Sequence, residues 1–420
     1  MRGISWVLPM RSNRDFMWLW SGEAISELGS SMSVLVFPLL GYSLTGSTRV
    51  AGVATTGVLL GSLLAALPAG VVVDRASRRR VLICANLAGA TAFGALSLMA
   101  LTGVLTITAL VVLGVVGGAA SAFVRPANAA AVRTVVRRED LPTALAQSQA
   151  RHQAASLAGP PLGGALFSVA RSLPLVVDTV TYLVAAGAVS RVRHPLPRPE
   201  SVAEAVPLRR SLGEGLGFLL HHPVMRAMMS WAALNNTAAA FLTVLITLRL
   251  AEAGVTPAAI GAVDTIAAVA GLAGAFLAPA IVRRVPTGGM TVFTGLFSAL
   301  ALLGTAFTTN VVLIGLCWAC SSMLFPATNA GIGGFASAAV PERLQGRMHA
   351  ASGLVANGLT PLSPLLAGVL LAEVGGLAAT VVGVAVLALA VTPIVLTRET
   401  RTLGRPSTWA LDRETDPQKA

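Results

Sequence analysis

Twelve apolar stretches account for most of this chain, each close to the ~20 residues a helix needs to cross a bilayer. They run over 16–42, 49–73, 81–103, 105–127, 142–168, 173–192, 223–249, 257–282, 290–309, 311–334, 349–372 and 374–397. In hydrocarbon each backbone N–H and C=O must find a partner within the protein, so such stretches are expected to be helices. Composition points the same way. Of 420 residues, 55% are hydrophobic and 11% charged, and the mean hydropathy is +0.76. A soluble domain carries roughly a quarter charged residues, so there is too little polar surface here to cover a water-soluble globule. The divisions at 103/105 and 309/311 rest on very short turns.

Where the charges fall fixes the expected topology. The net charge is +12, which by itself would suit a nucleic-acid partner. With the N-terminus placed inside, however, 25 of the 30 basic residues lie in the tails and loops of that side. Only Arg49, Arg171 and Arg249 lie on the other, while Arg125 and Arg151 sit within helices. That bias is the positive-inside pattern of a multi-pass membrane protein. Both termini are expected in the cytoplasm, and no nucleic-acid partner is expected.

Several other classes are disfavoured by residue inventory. The only lysine is Lys419, so the chain has no phosphate-loop lysine and is not expected to be an ATP-driven pump by itself. No H-E-x-x-H or nucleophile elbow occurs, and no enzymatic activity is expected. Cys84, Cys317 and Cys320 all fall in apolar segments. The Cys317/Cys320 pair lacks a second ligand pair, so these read as small apolar side chains, with no metal or cofactor expected. The first fourteen residues lack the apolar core and cleavage site of a signal peptide, so no removal is expected.

The chain carries a weak internal duplication. FVRPANAAAVRTVVRREDL (123–141) precedes a segment containing AGPPLGGAL, and LFPATNAGIGGFASAAVPERL (324–344) precedes one containing GLTPLSPLLAG. Pro126 answers Pro326, and Glu139-Asp140-Leu141 answers Glu342-Arg343-Leu344. Two six-helix halves then flank a polar, proline-bearing linker, within which SLGEGLGFLLHH suits a short amphipathic helix at the cytoplasmic face. The expected division is a tail over 1–15, a first half over 16–192, a linker over 193–222, a second half over 223–397 and a tail over 398–420.

The loop between segments two and three reads Gly70-Val71-Val72-Val73-Asp74-Arg75-Ala76-Ser77-Arg78-Arg79. It resembles the G-x-x-x-D-R-x-G-R-R signature of the major facilitator superfamily, with Ser77 where glycine is usual. Gly70 is read as a point of close helix approach. Asp74 sits where a carboxylate can meet the positive end of a neighbouring helix. The resemblance implies that this neighbour is the start of segment eleven, near 349, making Asp74 a latch between the halves. Arg75, Arg78 and Arg79 would anchor to headgroups and carboxylates. In segment five, Ala155 to Gly164 (ASLAGPPLGG) resembles the g-x-x-x-G-P-x-x-G-G motif of drug/proton antiporters. Gly159, Gly163 and Gly164 would permit close packing, and Pro160 would kink the helix. NRDFMWLWSGEAISELGSSM (13–32) and SLGEGLGFLLHHPVMRAM (211–228) also look like a bacterial branch of siderophore and macrolide exporters. Segment four (TALVVLGVVGGAASAFV) departs from that branch in lacking a mid-helix arginine, so the usual proton-relay assignment is not carried over.

Ionisable groups inside spans are costly and therefore functional candidates. Glu23 and Glu27 stand one turn apart on one face of segment one, roughly 10 and 16 Å inside the membrane. Two carboxylates so close repel each other, and one of them is expected to hold a proton near neutrality. Arg151, roughly 14 Å deep in segment five, requires an acidic partner, for which Glu27 and Asp264 are the candidates by depth. His152 beside it is expected to pack, and Asp178 and Arg125, close to helix ends, to snorkel. Asn235 and Asn236 suit either a polar cavity wall or helix–helix hydrogen bonding.

Taken together, the expected fold is all-α and membrane-embedded, with twelve transmembrane helices in two pseudo-symmetric six-helix halves, the major facilitator fold. The expected function is secondary transport by alternating access, proton-coupled export of an amphipathic small molecule such as a drug, antibiotic or siderophore. A facilitator or importer of a small metabolite, or a non-transporting sensor, is the alternative. The expected partners are substrate, protons and lipid, the expected state a monomer, and the expected location a bacterial cytoplasmic membrane.

Overall fold

The computed structural model describes residues 13–196 and 208–406. Most of the expected N-terminal tail, the middle of the linker and the end of the C-terminal tail lie outside them. Among the described residues the chain is helical throughout, without a strand. It groups into two compact units, Met1–Ala205 with Gly254–Gly261, and Val206–Ala253 with Ala262–Ala420.

Six long helices build the first unit: α1 (Arg14–Thr45), α2 (Thr48–Arg75), α3 (Arg78–Leu101), α4 (Ile107–Val135), α5 (Leu141–Val169) and α6 (Leu173–Arg191). Their ends follow local chemistry. Asn13 accepts the Phe16 N–H at 3.0 Å and so caps α1, and Thr106 does the same for Ala109 at the start of α4. Gly46, with φ 68°, closes α1 in a left-handed C-cap. The departure at Ser77 costs nothing, because its φ is −61° and no left-handed turn is made. Its hydroxyl donates to Leu196 O at 3.2 Å. At the end of the unit where α1 starts, Phe16 and Leu19 of α1 pack with Val81 and Leu82 of α3 and with Val124 and Val132 of α4.

The second unit opens with a linker helix, α7 (Leu208–His221), where an amphipathic helix is expected. It does not lie free: Leu219, 2% exposed, joins a core with Met225, Met228 and Met348. Glu214 also forms an ion pair with Arg347. Then follow α8 (Pro223–Glu252), α9 (Pro257–Arg284), α10 (Thr287–Leu303), α11 (Val311–Ser322), α12 (Phe325–Ala339), α13 (Glu342–Asn357), α14 (Ser363–Leu389) and α15 (Thr392–Leu396). Segments ten to twelve are interrupted. Pro326, in the first turn of α12, follows a break at Met323–Leu324. Pro361 sits in a 3₁₀ turn at Thr360–Leu362, between α13 and α14. Gly375, with φ 79°, splits α14 where segments eleven and twelve are expected to divide.

Among the described residues, ten helical runs are long and apolar enough to span a membrane, and the last, Ala350–Leu396, is 47 residues, room for two spans on either side of Gly375. Helix α5 falls short of that standard only through its polar first half, LPTALAQSQARHQ. With it the count reaches the expected twelve.

Candidate functional site

The intramembrane charges of the first unit converge between α1 and α5. Trp20 Nε1 donates to Gln147 O at 3.3 Å, setting the register of the two helices. About one turn further along α5 and two along α1, Glu27 Oε2 accepts from Arg151 Nε at 3.0 Å, and Glu27 Oε1 lies 2.5 Å from His152 Nδ1. Arg151 is 9% exposed, so this ion pair is shielded from water and from screening ions. Of the two acidic partners expected for Arg151, Glu27 is the one in contact. His152 is not simply packed, as expected, but shares the carboxylate. Glu23, one turn before Glu27, makes no hydrogen bond or ion pair among the described residues, although Arg151, Glu27 and Arg125 all act on it electrostatically. The close Glu23–Glu27 pair of the sequence reading is thus a triad of Glu27, Arg151 and His152 with Glu23 beside it. Arg151 Nη1 remains buried without a partner.

The backbone explains this placement. Gly159 and Gly163 of α5 lie against Ser31 and Met32 of α1, so close that a Cβ on either glycine would collide. Without side chains there, the axes approach and Arg151, two turns earlier, reaches Glu27. Pro160 and Pro161 stand inside the continuous helix. Gly164 approaches Pro257, in the short stretch that groups with the first unit.

The loop signature spans the end of α2, the turn after it and the start of α3. A Cβ on Gly70 would meet nothing within 4 Å, so this glycine makes no close approach here. Asp74 is exposed and makes no hydrogen bond or ion pair among the described residues. Arg78 donates to Thr134 Oγ1 at 2.7 Å, and Arg79 donates to Ser190 O. They tie the start of α3 to α4 and α6, while Arg75 and Arg80 stay exposed.

One carboxylate was misjudged from sequence. Asp178 does not snorkel; it is 0% exposed, held by Ser33 Oγ at 2.9 Å and Thr181 Oγ1 at 3.2 Å. Next to it Tyr182 OH and Ser30 Oγ are 3.0 Å apart, and Phe93 stacks on Tyr182 at 5.6 Å. The signal was present in the spacing of Gly22, Ser26, Gly29 and Ser33, a stripe of small residues along α1 against which α6 packs closely. Arg125 is exposed but does not stand at a helix end, because α4 continues past it to Val135.

In the second unit Asn236 Nδ2 donates to Ala356 O at 3.1 Å and lies 3.4 Å from Asn357 Oδ1. Those are the last residues of α13, where the break leaves carbonyls without helical donors. Ser363 Oγ donates to Thr237 O at 2.9 Å from the other side of the break. Helix–helix bonding, rather than a bare cavity wall, is what Asn236 does. Asn235 is 5% exposed and its Oδ1 is buried without a partner. Asp264 makes no hydrogen bond or ion pair among the described residues and is half-buried.

No curated protein sequence matches the chain significantly. Among solved structures it is similar to a bacterial homologue of the human lysosomal transporter Spinster, at TM-score 0.68 and 16% identity, over 98% of this chain and 99% of that one. It is also similar to a variant of the nucleoside transporter NupG, at TM-score 0.70 and 11% identity over 91% and 100%. A bacterial metal transporter matches at TM-score 0.65 and 19% identity over 91% and 98%. These likenesses concern the fold. The sequence pattern of the Major Facilitator Superfamily matches residues 19–363. With that match over most of its length and twelve spans in the family's arrangement, the chain belongs to the Major Facilitator Superfamily of membrane transporters.

Proposed function

We propose that this transporter is a proton-coupled exporter of an amphipathic small molecule, with Glu27 as the proton-accepting group. The observation that carries the reading is the shielded contact of one carboxylate with both a guanidinium and an imidazole. A carboxylate oxygen and a ring nitrogen 2.5 Å apart need a proton between them. That proton either sits on the ring, leaving Glu27 charged and paired with Arg151, or sits on Glu27. In the second case the ion pair loses its negative member, and Arg151 is released with its free Nη1 to accept another partner. Protonation and rearrangement are thereby coupled in one cluster. The export direction rests on the antiporter-like ASLAGPPLGG stretch.

The test is efflux of a fluorescent amphipathic dye from cells expressing the full chain, with and without a protonophore, for wild type and Glu27→Gln. Glutamine keeps the volume but can neither carry the charge nor take up the proton. Wild-type efflux is expected to stop with the protonophore, and the variant, inserted normally, to show no efflux without it. Efflux insensitive to the protonophore, or normal in the variant, would remove Glu27 from the mechanism. Dye entering rather than leaving wild-type cells would favour an importer.

A further inference from the structure

At the cytoplasmic end of the first unit, a cavity of about 500 Å³ opens between the start of α1 and the end of α6. Three arginines line it: Arg14, Arg191 and Arg193. All three are exposed, and their guanidinium groups make no hydrogen bond or ion pair among the described residues. The single acid at the cavity, Asp15, does not neutralise them directly. Its two carboxylate oxygens accept the backbone N–H groups of Arg193 and His194, each at 2.8 Å. Asp15 therefore holds the turn after α6 against α1 and fixes where Arg193 stands.

The cavity changes character with depth. Met17 and Trp18 line it one turn below Arg14, with Ser21 one turn further. Trp18 is 42% exposed, at the level where indole rings settle between headgroups and hydrocarbon. An apolar track continues inward: Ile25 on α1 is 41% exposed and Val184 on α6 is 42% exposed. Between them Gly187 is exposed, and a Cβ there would meet nothing within 4 Å. Ile25 lies about 16 Å along the axis from Arg14. A basic mouth over a membrane-directed apolar track matches an amphiphile with an anionic head, and fits a free inorganic anion poorly.

We infer that this groove is a binding site for one anionic phospholipid of the phosphatidylglycerol type. Its phosphodiester sits among Arg14, Arg191 and Arg193, and one acyl chain lies over Trp18, Ile25 and Gly187. Planar guanidinium groups pair well with phosphate oxygens, and basic pockets between helices on the cytoplasmic side suit such headgroups. The site lies on the side of α1 away from Glu27 and is independent of the proton chemistry there.

The experiment measures thermal unfolding of the purified full chain in detergent, titrated with phosphatidylglycerol, phosphatidylcholine or inorganic phosphate. Phosphatidylglycerol is expected to raise the midpoint saturably, while phosphatidylcholine and phosphate do not. In the variant Arg14→Gln/Arg191→Gln/Arg193→Gln the apparent affinity is expected to fall by about fivefold per arginine removed. A control with Arg133→Gln, Arg137→Gln and Arg138→Gln, exposed basic residues elsewhere on the unit, is expected to keep wild-type affinity. Should the triple variant not accumulate, Arg191→Gln alone gives the single fivefold step. Equal losses in the control would show a diffuse effect of surface charge, and equal protection by phosphate would show a small-anion site; either overturns the proposal.

Discussion

At Glu27 a carboxylate meets a guanidinium at 3.0 Å and an imidazole at 2.5 Å; at Asp178 it meets two hydroxyl groups and no cation. These surroundings give the two residues different work. Glu27 can exchange partners, whereas Asp178 is locked by Ser33 and Thr181 against Gly29, with no room for an added Cβ. Asp178→Asn keeps an acceptor in place, and its stability is expected to stay within about 1 kcal/mol of wild type. Asp178→Leu strands both hydroxyl groups and overfills the site, and is expected to cost roughly 2–4 kcal/mol. Unfolding midpoints of the two variants in detergent check this, and equal loss in both would mean that charge, not hydrogen bonding, holds the position. Glu27 with Arg151 was legible in the sequence because depth can be counted from a helix end. Asp178 was not: counting from its own helix put it near the surface, and only the register against α1 shows otherwise.

Among the elements, α5 departs furthest from a simple apolar span. Its first half carries Gln147, Gln149, Arg151 and His152, and its second half is built from Gly159, Pro160, Pro161, Gly163 and Gly164. The polar half needs α1 as a partner, and the small half provides the approach that makes α1 one. A side chain at Gly159 would push against Ser31 and Met32. Gly159→Val is therefore expected to destabilise the protein by about 1–3 kcal/mol and to lower dye efflux, by moving Arg151 away from Glu27. Gly187→Ala, where nothing lies within 4 Å, is expected not to destabilise the protein. Comparable effects of the two would deny that helix spacing sets the site. The motif itself was readable from spacing, but its partner was not, since a run of small residues does not say which helix it faces. The breaks in segments ten and eleven were foreshadowed by Pro326 and Pro361. Asn236, which bonds the carbonyl freed near the second break, could be placed by depth only.

Over the whole molecule, the feature that organises everything else is the placement of its arginines. Their bias toward the tails and the loops of one side predicts that both termini and the linker lie in the cytoplasm, since basic loops resist transfer across a membrane. The ends of the first unit are consistent with interfacial anchoring. Arg78 and Arg79 bind the ends of α4 and α6, while Arg14, Arg191 and Arg193 gather at one mouth. On the opposite side Arg171 Nη1 donates to Ser43 O at 3.1 Å, and Arg249 binds Thr305 O and Thr380 Oγ1, both at 2.9 Å. Two of the three basic residues expected outside, Arg171 and Arg249, are thus hydrogen-bonded to neighbouring helices. Alkaline phosphatase, active only outside the cytoplasm, separates the two orientations. Joined after Leu196, or at the C-terminus of the full chain, it is expected to be inactive. Joined at Arg171, in the turn between α5 and α6, it is expected to be active. The reverse pattern would invert the molecule, turning the anionic-lipid groove and the α7 linker helix to the outer leaflet.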